Sequence, residues 1–369
     1  MTVASVEGIP VSVPGDTGLR RETADTFDHV LVRVETDRGT VGWGEVPCMP
    51  SWPSGLTQEA SLALVAELAP VVEGRRLANL EAIVRDMERA LARSPFPVAG
   101  IEVALHDALG RHYGVPVADL LGGFNRPDRT IDLHASIPPG SIEQVRATAT
   151  EAAEAGFPGV KVKVGTGDHE ADRRTIETVR DVLPTAEIRV DANGAWTVTE
   201  AVRALRDLTD VAGEIAYAEQ PVAPGHPESL ARLRRAVPAP IVADESCFSP
   251  TDVHALATAE AVDAVSIKLA KAGGLRRARD VAIVAEAAGI GGLVGGMLEL
   301  GIGTAASAHF AAAAPNLQFS TGIFAHHAAT ALLGNDEVWT PRGPTFTVPD
   351  RPGLGIQVDS EALERYRTD

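Results

Sequence analysis

Residues 187–193 read Glu-Ile-Arg-Val-Asp-Ala-Asn, a short β-rich run that ends in an acid. Two later runs end in the same way, one in Glu219 and the next in Asp244. The three acids, the first of which is Asp191, follow one another at spacings of 28 and 25 residues. Because a strand with its connecting helix takes about 30 residues, this repeat predicts consecutive βα units of one parallel sheet.

The same alternation of β-rich runs and helical patterns extends over residues 126–321. Helices rich in alanine, arginine and glutamate fill the gaps, for example at 142–155, 170–183 and 275–288. Eight such units predict an α/β fold of the (β/α)8 barrel type. The predicted strands are 131–136, 159–164, 187–191, 215–219, 241–244, 264–268, 292–297 and 317–320.

The two ends of the chain follow other patterns. Residues 1–125 begin with strands, including a hairpin at 30–45, and continue with helical patterns at 58–68, 80–91 and 100–112. This order predicts a small α+β capping domain. Residues 322–369 are predicted to return to the cap and contain two short strand-like pieces, 344–348 and 355–358.

Composition excludes several classes of partner. The net charge of -17 and the lack of a basic run disfavour nucleic acid and acidic membranes. The first 18 residues do not resemble a signal peptide, and no stretch has the roughly 20 apolar residues of a membrane span. The two cysteines, Cys48 and Cys247, have no neighbouring metal-binding or disulfide pattern. We therefore expect a cytoplasmic protein that acts on a small molecule.

The lysines are few and clustered. Of 33 basic residues only four are lysine, and they form the pairs Lys161 with Lys163 and Lys268 with Lys271. Arginine serves surface roles but does not lose its proton in a protein, whereas lysine can act as a base. The pattern predicts that lysine was kept for chemistry. Lys271, beside Gly273-Gly274, is interpreted as a helix-entry residue rather than a catalyst.

The acids predict a metal site. In a parallel barrel the ends of neighbouring strands meet at one mouth, so Asp191, Glu219 and Asp244 are expected to converge there. Three carboxylates repel one another unless a cation lies between them, and oxygen ligands suit Mg²⁺ or Mn²⁺. The alternative, that each acid merely caps the next helix, is much weaker for three consecutive units than for one.

The lysines complete the predicted chemistry. Lys161 and Lys163 are two residues apart on one strand and point to the same face. Lys268 ends the sixth strand, opposite the second, so a substrate would have a lysine on each side. Proximity to each other and to a cation is expected to lower the pKa of these amines toward that of a base. The expected reaction is removal of a proton next to a substrate carboxylate, with the metal stabilising the enolate.

Taken together, these motifs resemble the enolase superfamily, in particular its muconate-lactonising subgroup. The resemblance also covers Gly42-Trp-Gly-Glu45, Lys271-Ala-Gly-Gly274 and Pro352-Gly-Leu-Gly-Ile356, and so nearly the whole chain. It implies an enolase-like modified TIM barrel with an N-terminal cap. The implied roles are Mg²⁺ ligands for Asp191, Glu219 and Asp244, an acid/base pair for Lys163 and Lys268, and support of Lys163 and the substrate carboxylate for Lys161.

Further residues are assigned by position and by the same resemblance. The run Gly295-Gly-Met-Leu-Glu299 is similar to that of muconate cycloisomerases and N-acylamino acid racemases, which implies that Glu299 lies at the pocket. The eighth strand ends in Ser320-Thr-Gly322 rather than the Asp-x-Asp usual in dipeptide epimerases, so a free dipeptide is disfavoured. Supporting or substrate-binding roles are predicted for Asn193, Glu245 and Ser136.

Substrate specificity in the family is set by two loops of the cap, which match residues 15–28 and 47–55. Arg20 and Arg21 are candidates to bind a second substrate carboxylate, with solvent-exposed arginines as the alternative. Three apolar residues are predicted to line a wall, namely Met49, Trp52 and Pro53. His326 and His327 are interpreted as surface loop residues.

Several functions remain open from the sequence. The leading prediction is a muconate cycloisomerase-like enzyme, followed by a racemase or epimerase of an N-substituted amino acid and then by a lyase such as a dehydratase. A barrel that only binds a carboxylate is the non-enzymatic alternative. The resemblance further implies a homo-oligomer, either a dimer or an octamer.

Overall fold

A computed structural model describes residues 1–15, 26–53, 55–324, 326 and 328–368. Its N-terminal part contains β1 (Val3–Pro14), β2 (Thr26–Thr36), β3 (Val41–Val46), α1 (Gln58–Val72), α2 (Leu80–Ala90), α3 (Pro95–Tyr113) and α4 (Val117–Leu120). The strands form one antiparallel sheet in the order β1-β2-β3. The predicted hairpin is present, with Val30 opposite Val46. Its turn contains Gly39 at φ 73°, a conformation that favours glycine.

Strand β3 packs closely on helix α3. Gly42 and Gly44 are two residues apart and therefore face the same side. A Cβ atom on Gly44 would collide with the carbonyl oxygen of Gly100 in α3. The close approach thus requires glycine, and it leaves the alternate residue Glu45 on the other face of the strand.

The second part of the chain alternates strands with helices. Its elements are β4 (Thr130–Asp132), β5 (Ala135–Ile137), α5 (Ile142–Glu154), β6 (Gly159–Lys163), α6 (His169–Val182), β7 (Glu187–Asp191), α7 (Val198–Ala212), β8 (Tyr217–Glu219), α8 (Pro227–Arg234), β9 (Ile241–Ala243), α9 (Pro250–Thr258), β10 (Ala264–Ile267), α10 (Leu269–Ala272), α11 (Leu275–Ala287), β11 (Gly291–Val294) and α12 (Gly301–Ala313). Seven strands, β5 to β11, form one curled parallel sheet in chain order. None of the helices in the described ranges combines the length and the hydropathy that crossing a bilayer requires.

The barrel closes through residues 317–321. On one side Gln318 N donates to Gly292 O at 2.9 Å, and on the other Thr321 N donates to Asp132 O at 2.9 Å. The prediction of a regular eighth strand at 317–320 was wrong. The segment occupies the eighth position, but it makes only one isolated bridge to each neighbour among the described residues, too few for a ladder.

The predicted first strand, 131–136, is split in two. Its first half is β4, which pairs antiparallel with a strand near the C-terminus, and only its second half, β5, joins the barrel. The predicted piece 344–348 is that partner strand, whereas 355–358 forms no regular strand. The remaining elements are α13 (Asp336–Trp339), β12 (Thr345–Thr347) and α14 (Ser360–Tyr366).

The C-terminal segment also contacts the N-terminal part of the chain. Gly353 N donates to Val115 O, and Val117 N donates to Gly353 O, both at 2.9 Å. Leu354 N donates to Asp107 Oδ1 at 2.7 Å. Residues 353 and 354 therefore tie the C-terminal segment to the end of α3 and the start of α4, while the boundaries after residues 125 and 321 stay predictions.

The barrel interior has an apolar floor. Tyr217, Val242, Ala264 and Leu293 are buried together there, on the four neighbouring strands β8 to β11. The ring of Phe319 lies 4.8 Å from that of Tyr217, centroid to centroid. Because this layer fills the barrel below them, polar side chains at the strand ends face only the opposite mouth.

His309 in α12 connects three parts of the fold while fully buried. Its Nδ1 accepts a hydrogen bond from Ala118 N at 3.3 Å, and its Nε2 donates to Leu354 O at 3.2 Å. Burial lowers the pKa of His309 from 6.5 to about 4, against a small opposing effect of the Leu354 carbonyl. The imidazole is therefore neutral in the folded chain near neutral pH.

We expect His309 to make folding pH-dependent. Since the unfolded chain takes up this proton near pH 6.5 and the folded chain only near pH 4, the free energy of unfolding falls over that window as the pH is lowered, by up to about 3 kcal/mol. Urea unfolding at pH 7 and pH 5 measures the effect. His309→Gln should flatten this dependence, and His254→Gln, at an exposed position, should not. An unchanged slope in His309→Gln would contradict the assignment.

Candidate active site

Three acids end neighbouring strands at the barrel mouth. Asp191 ends β7, Glu219 ends β8, and Asp244 follows β9 directly. Asp191 and Glu219 lie opposite each other in the strand register. The acids are 2%, 1% and 0% exposed, respectively. Buried carboxylates of this kind require compensating charge.

Two lysines of strand β6 provide part of that charge. Lys163 Nζ donates to Asp191 Oδ2 at 2.7 Å and to Asn193 Oδ1 at 2.8 Å. Lys161 Nζ lies 3.0 Å from Glu219 Oε2 and 3.5 Å from Asp191 Oδ2. The structure thus places both lysines on one face of the strand, in contact with the acids of the next two strands.

The other two lysines converge on Asp244. Lys268 Nζ donates to Asp244 Oδ2 at 2.7 Å. Lys271 Nζ donates to Asp244 Oδ1 and to the Asp244 carbonyl oxygen, both at 2.6 Å. The interpretation of Lys271 as a helix-entry residue missed this contact, because the residue does lie in α10 but its ammonium reaches back to the strand end. The signal was the scarcity of lysine in the whole chain.

The pKa values of the amines differ from the expectation. Burial lowers the pKa of Lys161, but the charges of Glu219 and Asp191 outweigh it and hold the pKa well above its usual value. In the same way Asp244 and Glu219 outweigh burial and raise the pKa of Lys268. With the charges of the chain alone, these amines are therefore stabilised as ammonium ions rather than as bases.

The loops after β7 and β8 orient the acids. Asn193 and Gln220 both have positive φ, 45° and 36°. Gln220 Oε1 accepts from Asp244 N at 2.9 Å and from Ser246 N at 3.1 Å, so it fixes the strand end that carries Asp244. Sequence reasoning did not identify Gln220. The signal available was its place directly after Glu219.

Glu245 and Asn193, for which a supporting role is predicted, lie together at the barrel mouth. Asn193 Nδ2 donates to Glu245 Oε1 at 3.1 Å. Burial raises the pKa of Glu245 to about 7, and the charges of Asp244 and Asp191 add to that effect. Glu245 thus gains a proton more readily than an exposed glutamate does.

Two other predicted residues lie on flanking strands. Glu299 follows β11, and its Oε2 accepts from Met297 N at 2.6 Å. It is buried, and burial raises its pKa. Ser136 of β5 lies opposite Lys161 in the strand register and is half-buried.

The loop at 47–53 contributes an aromatic wall. The Trp52 ring centroid lies 4.0 Å from Lys268 Nζ, a cation–π contact. Met49 is 2% exposed and belongs to the core of the cap. His326 is not a simple surface residue, since its ring lies 5.2 Å from that of Phe27 in β2. Arg20, Arg21 and His327 lie outside the described residues.

The donor set suits a divalent cation. Glu219 Oε1 is buried and has no hydrogen-bond partner. Burial raises the Glu219 pKa, and Asp191 and Asp244 add to this, against the opposing charge of Lys161. Within the described ranges no three ligand side chains are already grouped around one metal position, because Lys161 lies between two of the carboxylates. The three carboxylates are suitable ligands for a cation, but a bound cation has to replace some of their contacts with the lysines.

Comparison with known proteins assigns the class. The Mandelate racemase / muconate lactonizing enzyme, N-terminal domain, matches residues 5–122, and the Enolase C-terminal domain-like family matches residues 144–362. The chain belongs to the enolase superfamily, in its mandelate racemase/muconate lactonizing enzyme family, and the predicted fold and resemblance are confirmed.

Relatives of several specificities align over nearly the full length. The L-Ala-D/L-Glu epimerase of Bacillus subtilis is 34% identical and covers 94% of this chain and 93% of its own length. Muconate cycloisomerase 1 of Rhodococcus opacus is 33% identical, with 99% and 98% covered. Among solved structures, 2-chloromuconate cycloisomerase from R. opacus has a TM-score of 0.91 at 31% identity, with 100% and 99% covered. N-succinyl Arg/Lys racemase from Bacillus cereus has 0.93 at 26%, with the same coverage. The chain is accordingly an isomerase.

We expect Lys271→Met to destabilise the fold strongly. Both groups of the pair are buried, at 1% and 0% side-chain exposure, and removal of one partner of a buried pair costs about 3 kcal/mol or more. Arg173→Met breaks an exposed pair with Glu177, at 47% and 45% exposure, and should cost less than about 1 kcal/mol. Urea denaturation in the presence of a chelator compares the two. Equal losses would show that Lys271 does not compensate Asp244.

Proposed function

We propose that this isomerase acts on a small dicarboxylate and removes a proton next to a substrate carboxylate, with Mg²⁺, or Mn²⁺, held by Asp191, Glu219 and Asp244. The observation that carries the proposal is the position of two lysines. Lys163 lies 2.7 Å from Asp191, and Lys268 lies 2.7 Å from Asp244. The strands that bear them are separated by the three strands that bear the acids, so a substrate bound at the acids lies between two amines.

The residues then divide the chemistry. A bound divalent cation supplies positive charge where the substrate carboxylate becomes an enolate. Lys163 removes the proton in the lactone-opening direction; the electron pair forms a double bond, and the ring carbon–oxygen bond breaks to release a carboxylate. Lys161, in contact with Asp191 and Glu219, holds positive charge beside the same group. In the lactonising direction the proton returns from Lys163 to carbon.

The two catalytic lysines have different surroundings, which favours lactonisation. Lys268 is 6% exposed in its side chain and lies against Asp244, with the Trp52 ring on its ammonium. Lys163 is 19% exposed. An indole ring and a carboxylate stabilise a cation, so Lys268 suits a fixed positive charge. Lactonisation needs one lysine to exchange a proton with carbon, as an acid in the lactonising direction and as a base in the reverse direction, whereas racemisation needs two.

The charges of the site favour a doubly negative substrate. The described site contains four ammonium groups, the three acids Asp191, Glu219 and Asp244, and two further acids, Glu245 and Glu299, whose pKa values burial raises toward the neutral form. A divalent cation adds two positive charges to a largely buried region, where uncompensated charge is costly. A dianion balances them. Dicarboxylates such as muconate, or an N-succinylamino acid, meet this requirement.

Racemisation of an N-substituted amino acid is the second candidate. It is supported by the similarity to the epimerase and racemase described above and by the placement of an amine on either side of the acids. The isomerase relatives argue against the lyase and the non-catalytic barrel. A homo-oligomer, dimer or octamer, and a cytoplasmic location stay predictions.

We expect arginine substitution to separate the two reactions. Arginine keeps the charge of lysine but does not act as a base. Lys268→Arg should therefore retain lactonisation of cis,cis-muconate, with a loss of about 10-fold or less, but should abolish racemisation of N-succinylamino acids, by about 10³-fold or more. Lys163→Arg should abolish both. Deuterium incorporation in D₂O, followed by NMR, measures each reaction.

The parent enzyme identifies which reaction occurs. Deuterium next to a carboxylate in a lactone product supports cycloisomerisation, and deuterium at a stereocentre without ring closure supports racemisation. If Lys268→Arg abolished lactonisation as completely as Lys163→Arg, the fixed-cation role of Lys268 would be wrong. No exchange with any dicarboxylate in the presence of Mg²⁺ would contradict the proposed function.

The metal ligands predict a separate result. Glu219→Gln should weaken Mn²⁺ binding by at least about 10-fold, because it replaces a charged ligand by a neutral one. Glu187→Gln is the matched control, since Glu187 lies at the opposite end of the barrel with a side chain that is 61% exposed. Electron paramagnetic resonance of free Mn²⁺ gives both affinities without substrate. Equal affinities would exclude Glu219 from the metal site.

A further inference from the structure

Two barrel helices next to the cap begin without a capping side chain of their own. The residue before α11 is Gly274 and the residue before α12 is Leu300, and neither caps its helix through a side chain. The first amides of a helix nevertheless need acceptors when buried. Four other barrel helices are capped locally, by Ser141, Asp168, Thr197 and Ser249, whereas α8 and α10 also begin without a side-chain cap.

Glu45 of the cap provides the acceptors for α12. Its Oε1 accepts from Leu300 N at 2.7 Å, and its Oε2 accepts from Gly303 N at 2.8 Å, across 255 and 258 residues of sequence. His29 Nδ1 lies 2.8 Å from Glu45 Oε1, and the Glu45 side chain is 0% exposed. Negative charge at a helix N-terminus is favourable, so the contact is both a hydrogen-bonded cap and a charge interaction.

Glu102 in α3 serves α11 in the same way. Its Oε2 accepts from Leu275 N at 2.8 Å, and its Oε1 accepts from Arg276 N at 2.9 Å. His106 Nδ1 lies 3.2 Å from Glu102 Oε1, and this glutamate is also 0% exposed. A Cβ atom on Gly274 would collide with the Glu102 carboxylate, which explains a glycine at that position.

The two helices follow directly after site residues. Helix α11 begins at Leu275, four residues after Lys271, and α12 begins at Gly301, two residues after Glu299. A Cβ atom on Gly303 would lie 2.7 Å from the Glu299 Cβ, so Glu299 packs on the same helix turn that Glu45 caps. The cap carboxylates therefore hold the chain next to Lys271 and Glu299.

We propose that Glu45 and Glu102 are positioning residues, which fix Glu299 and the pair Lys268 and Lys271 relative to the metal-binding acids by capping α12 and α11 from the cap domain. Each glutamate carries its own histidine, which satisfies and orients the carboxylate. The catalytic part of this inference depends on the proposed function. The structural part, that the cap domain fixes the positions of two barrel strand ends, is independent of the proposed function.

Glutamine substitution tests the proposal. Glu45→Gln and Glu102→Gln keep the size of the side chain but lose its charge and one acceptor. Small displacements of catalytic groups cost up to about 100-fold in rate. The assay is α-proton exchange in whichever probe the parent enzyme accepts, cis,cis-muconate or an N-succinylamino acid. We expect kcat to fall about 10- to 100-fold and KM to change less than about threefold.

The matched control is Ser141→Ala, which removes a helix cap in the same barrel away from the cap domain. It should lower the melting temperature by a few degrees, as loss of a helix cap does, and leave kcat unchanged. The proposal is overturned if the glutamine variants keep the parent kcat, or if their kcat falls only in proportion to the fraction unfolded. Should Glu45→Gln fail to fold, His29→Asn, which keeps both Glu45 contacts to α12, should show a smaller loss of kcat in the same sense. His106→Asn replaces Glu102→Gln in the same way.

Amide hydrogen exchange by mass spectrometry separates this inference from the function. Glu102→Gln should raise exchange in residues 268–276, and Glu45→Gln in residues 299–304, while Ser141→Ala should raise neither. If the parent exchanges no α-proton with any probe, the proposed function fails, and the hydrogen exchange alone decides the inference. Unchanged exchange in both segments would overturn it.

Discussion

The buried carboxylates at the barrel mouth are the constraint on which the site depends. Asp191, Glu219 and Asp244 are almost completely removed from water, and an uncompensated buried charge costs several kcal/mol. Amines within 3.5 Å offset that cost. All four lysines of the chain are used in this way, whereas every other basic residue apart from histidine is arginine.

The same compensation determines how the site is able to work. Each carboxylate has an amine partner in the chain itself, and a cation must share or take over that role. When it does so, Lys163 shares Asp191 with the cation, and Lys161 loses part of the negative charge that holds its pKa above the usual value. Lys268 keeps a second stabilising partner in Trp52. The proposed chemistry therefore requires the divalent cation and the lysine ammonium groups to compete for the same three carboxylates.

The cap is part of this arrangement rather than a cover placed over it. Strand β3 approaches α3 closely because glycine occupies two alternate positions, 42 and 44. The next residue, Glu45, has its side chain on the other face of the strand, toward the barrel. From there, and from Glu102 in α3, carboxylates reach the start of two barrel helices. Residues that are far apart in sequence are consequently held in one piece, and the position of the barrel lysines relative to the acids depends on both parts of the chain.

Much of the fold and of the site was predictable, because it follows from local periodicity. Strand ends that carry Asp191, Glu219 and Asp244 repeat at the length of one βα unit, and Lys161 and Lys163 share a face because strand side chains alternate. The regular eighth strand at 317–320 was predicted wrongly, since its composition is β-rich but its neighbours provide only isolated bridges. The split of the first strand depends on β12, more than 200 residues away, which no local pattern reveals.

The sequence by itself determined the class of fold, the strand-end acids and the choice of lysine over arginine, because these depend on residue type and on the regular period of strands and helices. The tertiary structure alone decided which groups compensate which charge. In the folded chain Lys271 contacts Asp244, and the Gln220 side-chain oxygen accepts from the Asp244 amide. Trp52, Glu45 and Glu102 of the cap contact residues of the barrel. These contacts join distant segments, and their geometry depends on how the helices pack rather than on any spacing in the chain.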